Sequence, residues 1–123
     1  MTASRSLVLI VDDEELVRWV AAAVLEEGGF DVAEASNAQD AINVMEYRSD
    51  VRLLFTDIQM PGAFDGLELV RRVRKRWPHI RLVVTSGRMA PNATDIPDDG
   101  YFLAKPYRDG DLLAKVTQLI GQP

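Results

Sequence analysis

Apolar residues fall along this chain in two alternating rhythms. Five short runs are apolar: Leu7–Val11, Val32–Ala35, Leu53–Thr56, Ile80–Thr85 and Tyr101–Ala104. Leu7–Val11 is unbroken and Ile80–Val84 nearly so, the pattern expected of strands covered on both faces. Between the runs, apolar residues recur at helical spacing. The first helix is expected from about Glu14 to Glu27, with Leu16, Val17, Val20, Val24 and the neighbouring alanines as its buried stripe. Gly28 and Gly29 stop it, because glycine takes the left-handed conformation that closes a helix. A second begins after Ser36 or Asn37, either a suitable N-cap, and buries Ala38, Ala41, Ile42 and Met45. A third covers Gly66–Arg76 and ends before Pro78, which disfavours helix in the residue ahead of it. The last spans Asp109–Ile120, with Leu112, Leu113, Val116 and Ile120 inward. A helix is also due within Arg88–Asp99, yet Pro91, Asn92, Asp95 and Pro97 allow at most a short or irregular one.

Strict alternation of strand and helix, with short connections, predicts an α/β domain with helices on both faces of a parallel sheet. Right-handed crossovers leave few topologies, and a five-stranded, flavodoxin-like doubly wound (βα)5 sheet fits best. The 123 residues are enough for one domain, residues 1–123, without repeat or linker. A 47% hydrophobic content argues against disorder. The chain has no cysteine, which removes disulfides and thiolate metal sites. No apolar run approaches a membrane span, and Met1 to Ser6 is short and polar without the apolar segment of a signal peptide, so the expectation is a cytoplasmic protein without a membrane partner. The net charge of −5 argues against direct nucleic-acid binding. Arg71, Arg72, Arg74, Lys75 and Arg76 form one basic cluster, read as the solvated face of the third helix.

In doubly wound sheets the working groups gather at the carboxyl ends of the strands. Asp12, Asp13, Glu14 and Glu15 follow the first run, Asp57 follows the third, Thr85, Ser86 and Gly87 stand at the end of the fourth, and Lys105-Pro106 follow the fifth. Converging carboxylates must either protonate or bind a cation. Hard oxygen ligands suit Mg²⁺, a lysine adds a second positive charge, and a carboxylate can act as nucleophile toward phosphorus. Together these residues describe a phosphoryl-transfer site. Taken singly each has a plainer reading: Asp12 and Asp13 as helix-capping acids, Thr85 as a strand threonine, Lys105 as a surface lysine.

In sequence order, Leu9-Ile10-Val11-Asp12-Asp13-Glu14, Asp57-Ile58-Gln59-Met60-Pro61-Gly62, Thr85 and Lys105-Pro106 resemble the receiver domain of two-component response regulators, over about Leu7 to Ile120. The resemblance implies a phosphoryl-accepting switch in a phosphorelay rather than a turnover enzyme, with self-phosphorylation from small donors and self-dephosphorylation. Asp57 is then the phosphoacceptor; Asp12, Asp13, Asp57 and the backbone carbonyl of Gln59 hold Mg²⁺. Lys105 pairs with the phosphoryl oxygens, Thr85 is the switch hydroxyl, Phe102 stands where a rotating switch aromatic belongs, and Pro106 follows a cis peptide bond. The implied partners are a sensor histidine kinase or a histidine phosphotransfer protein, with Trp19 and Tyr107 as candidate docking residues, and an output protein. The chain reads as a stand-alone regulator or as the first part of a longer one.

Three features depart from the family's usual form. Phe102 has no hydroxyl where tyrosine is common, the loop Met60–Gly66 is one residue longer, and Arg88–Asp99 is short and proline-containing. The competing reading is a Mg²⁺-dependent phosphohydrolase with an aspartate nucleophile. That class, as in enzymes resembling the haloacid dehalogenase group, places the nucleophile after the first strand with an acid two residues on, whereas Asp12 and Asp13 are adjacent. A nucleotide- or flavin-binding domain would need a Gly- or Ser/Thr-rich phosphate loop after the first strand, where this chain has acids.

Overall fold

The computed structural model describes residues 5–87, 96 and 100–122. Five strands, β1 (Leu7–Val11), β2 (Asp31–Ala35), β3 (Val51–Asp57), β4 (Arg81–Ser86) and β5 (Tyr101–Ala104), form one parallel sheet in the order β2-β1-β3-β4-β5. Four helices accompany them: α1 (Glu15–Glu27), α2 (Ala38–Tyr47), α3 (Gly66–Arg76) and α4 (Asp109–Ile120). The short or irregular helix expected in Arg88–Asp99 lies, apart from Ile96, outside the described residues.

Alternation along each strand divides the core in two. Leu7, Leu9 and Val11 of β1 face the side covered by α2 and α3, where Ile42, Met45, Leu69, Val70 and Val73 pack. Val8 and Ile10 face the other side, against Ala21, Ala22 and Leu25 of α1 and Leu112 and Val116 of α4. Burial on both faces explains why β1 carries no polar residue. Helix limits follow local chemistry. Asn37 caps α2 by accepting from Asp40 N–H at 2.8 Å, and Asp65 caps α3 by accepting from Glu68 N–H at 3.0 Å. Gly29, at φ +97°, takes the left-handed turn after α1.

One packing expectation needs correction. Leu16 and Val20 do not belong to the buried stripe of α1; they are 72% and 50% exposed. Apolar residues surround this helix, so periodicity alone does not choose the face. The sheet takes the side bearing Ala21, Ala22 and Leu25, whose small alanines let the helix approach closely. Leu16 and Val20, with Trp19 at 53% exposure, remain on the outer side.

Candidate functional site

The strand order fixes what meets at the carboxyl edge. β1 and β3 are neighbours with Val11 opposite Thr56, so Asp12 and Asp57 emerge side by side. β4 flanks β3 with Thr85 opposite Asp57, and β5 follows with Leu103 opposite Thr85. Lys105 leaves β5 with its N–H bonded to the Ser86 carbonyl at 2.9 Å, and the Lys105–Pro106 peptide is cis.

Asp12, Asp13 and Asp57 each offer an oxygen within 4.8 Å of the others, and they form the one such acidic cluster among the described residues. Asp12 and Asp57 are buried, at 4% and 5% exposure, while Asp13 is open to solvent. Lys105 Nζ lies 3.0 Å from Asp57 Oδ2 and 3.3 Å from Asp12 Oδ2. Burial pushes the Lys105 ammonium down, but the Asp57 hydrogen bond and the charges of Asp12 and Asp57 outweigh it and leave its pKa above the ordinary lysine value. One ammonium leaves the three carboxylates with excess negative charge. The remaining need is a divalent cation with hard oxygen ligands, and this donor set fits Mg²⁺.

Main-chain donors hold the carboxylates in place. Glu14 N–H donates to Asp12 Oδ1 at 2.9 Å in a turn ahead of α1; Glu14 is the N-cap residue and α1 has no side-chain cap hydrogen bond, so the helix-capping reading of Asp12 does not hold. Gln59 N–H donates to Asp57 Oδ1 at 3.2 Å. The Thr85 hydroxyl is buried and has no hydrogen-bond partner among the described residues. Phe102 is partly buried against the α2–α3 side of the core, together with Ile96.

Gly66 and Arg18, neither singled out in the sequence, and Ser86, noted there only as standing at a strand end, also touch the site. Gly66 lies against the Asp57 carbonyl and Ile58 Cα, where any Cβ would collide. Its position at the start of α3 was the available sign, since glycine opens a helix at a cost in chain entropy. Ser86 Oγ–H donates to Gln59 Oε1 at 2.6 Å, so the Gln59 side chain is engaged. Arg18 donates to the Asp12 carbonyl at 2.8 Å. Nothing local to Arg18 or Gln59 announces these contacts.

Beside the cluster runs an open groove of ≈ 600 Å³, lined by Leu16, Val17 and Val20 of α1 and by Lys105, Pro106 and Tyr107. Tyr107 stacks edge-on against Phe55, ring centroids 5.7 Å apart. Burial, then the nearby Asp12, Asp109 and Asp57 charges, raise its pKa against the opposing pull of Lys105.

A doubly wound α/β domain with an acidic cluster and a lysine at its carboxyl edge is the architecture of a signalling receiver. The response regulator receiver domain model matches residues 8–117, and the chain belongs to that family, the phosphoryl-accepting switches of two-component systems. Members are signalling switches, which favours this reading over the phosphohydrolase. The chain is 30% identical over 120 residues to the response regulator receiver protein CpdR of Brucella abortus, covering 94% of this chain and 97% of that protein. It is 32% identical to the sensor kinase CckA of the same organism over 92% of this chain, but spans only 12% of that kinase's length. It likewise spans 23% of a putative NtrX-like response regulator of Rickettsia bellii. A receiver protein structure from Sinorhizobium medicae superposes with a TM-score of 0.89 at 27% identity, covering 97% of each chain. The receiver domain of the hybrid histidine kinase CckA gives 0.78 at 31% identity, covering 93% of this chain and 98% of that one. Receivers generally bind Mg²⁺ at an acidic pocket. No helix among the described residues is long and apolar enough to cross a membrane.

Proposed function

We propose that Asp57 is the phosphoacceptor of a cytoplasmic phosphorelay, and that its phosphorylation changes which partners this domain binds. The observation that carries the reading is Asp57 itself: a buried carboxylate held by one main-chain N–H and one ammonium. In the transfer, a carboxylate oxygen of Asp57 attacks the phosphorus of a partner's phosphohistidine. The acyl P–O bond forms as the P–N bond breaks, and the departing imidazole retains the electron pair. Lys105 stays charged through this step and pairs with the phosphoryl oxygens, where its positive charge is most useful. Asp12, Asp13, Asp57 and the Gln59 main-chain carbonyl would hold Mg²⁺, which supplies neutralising charge to the phosphoryl oxygens when bound.

Thr85 and Phe102 carry the response. A buried hydroxyl without a partner gains a hydrogen bond once phosphoryl oxygens arrive beside it, and a ligand shifts a conformational equilibrium only through such differential contacts. Phe102, on the neighbouring strand, then repacks toward the space Thr85 leaves. The groove between α1 and Pro106-Tyr107, with exposed Leu16, Trp19 and Val20, is the docking face for a sensor kinase or histidine phosphotransfer protein.

Intact mass spectrometry after incubation with acetyl phosphate tests the core of this reading. Wild type should gain one phosphoryl group only with Mg²⁺ present, and Asp57→Asn should not. An equal yield in Asp57→Asn, without relocation to Asp12 or Asp13, would remove the assignment.

A further inference from the structure

We infer that Arg18 is a positioning residue of the phosphoryl-accepting site, acting through the peptide that joins Asp12 to Asp13; this rests on the site reading given above. β1 ends at Val11, and Asp12 is the first residue past its ladder. The Asp12 N–H is still held by the Ala35 carbonyl at 3.2 Å. Its carbonyl points toward α1, where Arg18 Nη1 donates to it at 2.8 Å. The same guanidinium donates through Nε to Glu34 Oε1 of β2 at 3.0 Å. The Arg18 side chain is only 12% exposed, against 36% for Glu34.

The geometry matters because of which oxygen is gripped. The Asp12 carbonyl belongs to the peptide plane connecting the two adjacent acids. If that plane turns, it changes the Asp12 ψ and Asp13 φ angles together and swings the two carboxylates relative to each other. The planar guanidinium fork, aimed by Glu34 at one end, resists that rotation at the other. Adjacent like charges favour rotation, since turning the plane lets the carboxylates separate. Arg18 therefore opposes the relaxation that the metal-free cluster would otherwise undergo, and keeps both oxygens within reach of one cation. Groups one step behind metal ligands act in this way, and their loss typically lowers metal affinity about 10- to 100-fold.

The test uses the full chain with Arg18→Ala, Arg18→Lys and Glu34→Gln. Without metal, the amide nitrogen of Asp13 lies in the gripped peptide, so its ¹⁵N resonance reports the hydrogen bond on the Asp12 carbonyl. That resonance should move in Arg18→Ala and Arg18→Lys, and move little in Glu34→Gln, whose amide oxygen still accepts from Nε. Mg²⁺ affinity by calorimetry should fall about tenfold in Arg18→Ala. Arg18→Lys keeps the charge without the fork, so it should recover only part of that loss. In an Asp13→Ala background the Arg18→Ala effect on Mg²⁺ should shrink, because the second carboxylate it orients is gone.

An unmoved Asp13 resonance, or Mg²⁺ affinity equal to wild type alongside a lowered melting temperature, would make Arg18 a strap between α1 and β2 and overturn the inference. Full recovery in Arg18→Lys would also overturn it, by reducing the effect to charge. Should wild type itself bind no Mg²⁺, the reading of the site fails instead, and the metal-free resonance still decides the role of Arg18.

Discussion

Thr85 is 2% exposed, and its hydroxyl carries an unmet hydrogen bond among the described residues. A buried polar group in that condition costs about 1–3 kcal/mol. Thr85→Val keeps the shape and removes the hydroxyl, so the unphosphorylated domain should gain about 1 kcal/mol in urea denaturation. Asp57 should still accept the phosphoryl group, while chemical-shift changes remote from Asp57 should shrink. Remote changes equal to those of wild type would remove the proposed switch role from Thr85 and make Ser86 the candidate. Gly66 is constrained from the opposite direction. A methyl group there collides with the Asp57 carbonyl, so Gly66→Ala should destabilise the fold by about 1–3 kcal/mol, as overpacking does. Because the displaced atoms belong to the backbone of Asp57, the proposed phosphoacceptor, acetyl phosphate labelling should slow as well. A variant with both stability and labelling unchanged would show that this contact relaxes freely.

At the scale of elements, α1 presents two apolar sides, one packed on the sheet and one open to solvent. Leu25 is fully buried against the sheet, whereas Leu16 and Val20 face the groove beside Lys105. Leu25→Ala should cost about 2–5 kcal/mol of stability. The double substitution of Leu16 and Val20 by serine should change stability by roughly 0.5 kcal/mol or less, as surface changes do. It should leave acetyl phosphate labelling intact and slow transfer from a histidine-phosphorylated partner. Loss of both donors' reactivity would mean that the outer side of α1 shapes the site itself rather than the proposed docking face.

For the whole molecule, the charged edge sets a boundary at high pH. The folded Lys105 pKa lies above the ordinary 10.5, so the stability from its pairing is fully present below that value. It is lost as the pH climbs from 10.5 through the higher folded value. Tyr107, raised above 10.0 chiefly by burial, acts with the same sign, because the unfolded chain ionises first. Urea midpoints should therefore hold their Lys105-dependent part from neutral pH to about 10 and fall beyond it. In Lys105→Met the alkaline fall should be shallower and the neutral-pH stability lower, with two buried carboxylates left without their ammonium. A parallel fall in both proteins would assign the alkaline loss to other groups.

The amino-acid order by itself determined the alternation of elements and which residues stand at strand ends. β1, β5, α3 and α4 begin and end where periodicity and breakers place them. β3 runs further than its most apolar stretch, from Val51 to Asp57, because its neighbours on both sides supply ladder partners. These features are local: a strand's alternation, an Asx cap or a proline acts within a few residues, so a single chain displays them. Only the tertiary structure decided how the parts meet. It brought Lys105 to Asp57 across 48 residues and to Asp12 across 93, and it chose which side of α1 the sheet would cover. It also set Gly66 against the Asp57 carbonyl and gave the Asp12 carbonyl to Arg18. Sheet register and helix approach set those distances, and side chains far apart in sequence acquire partners only after both are in place.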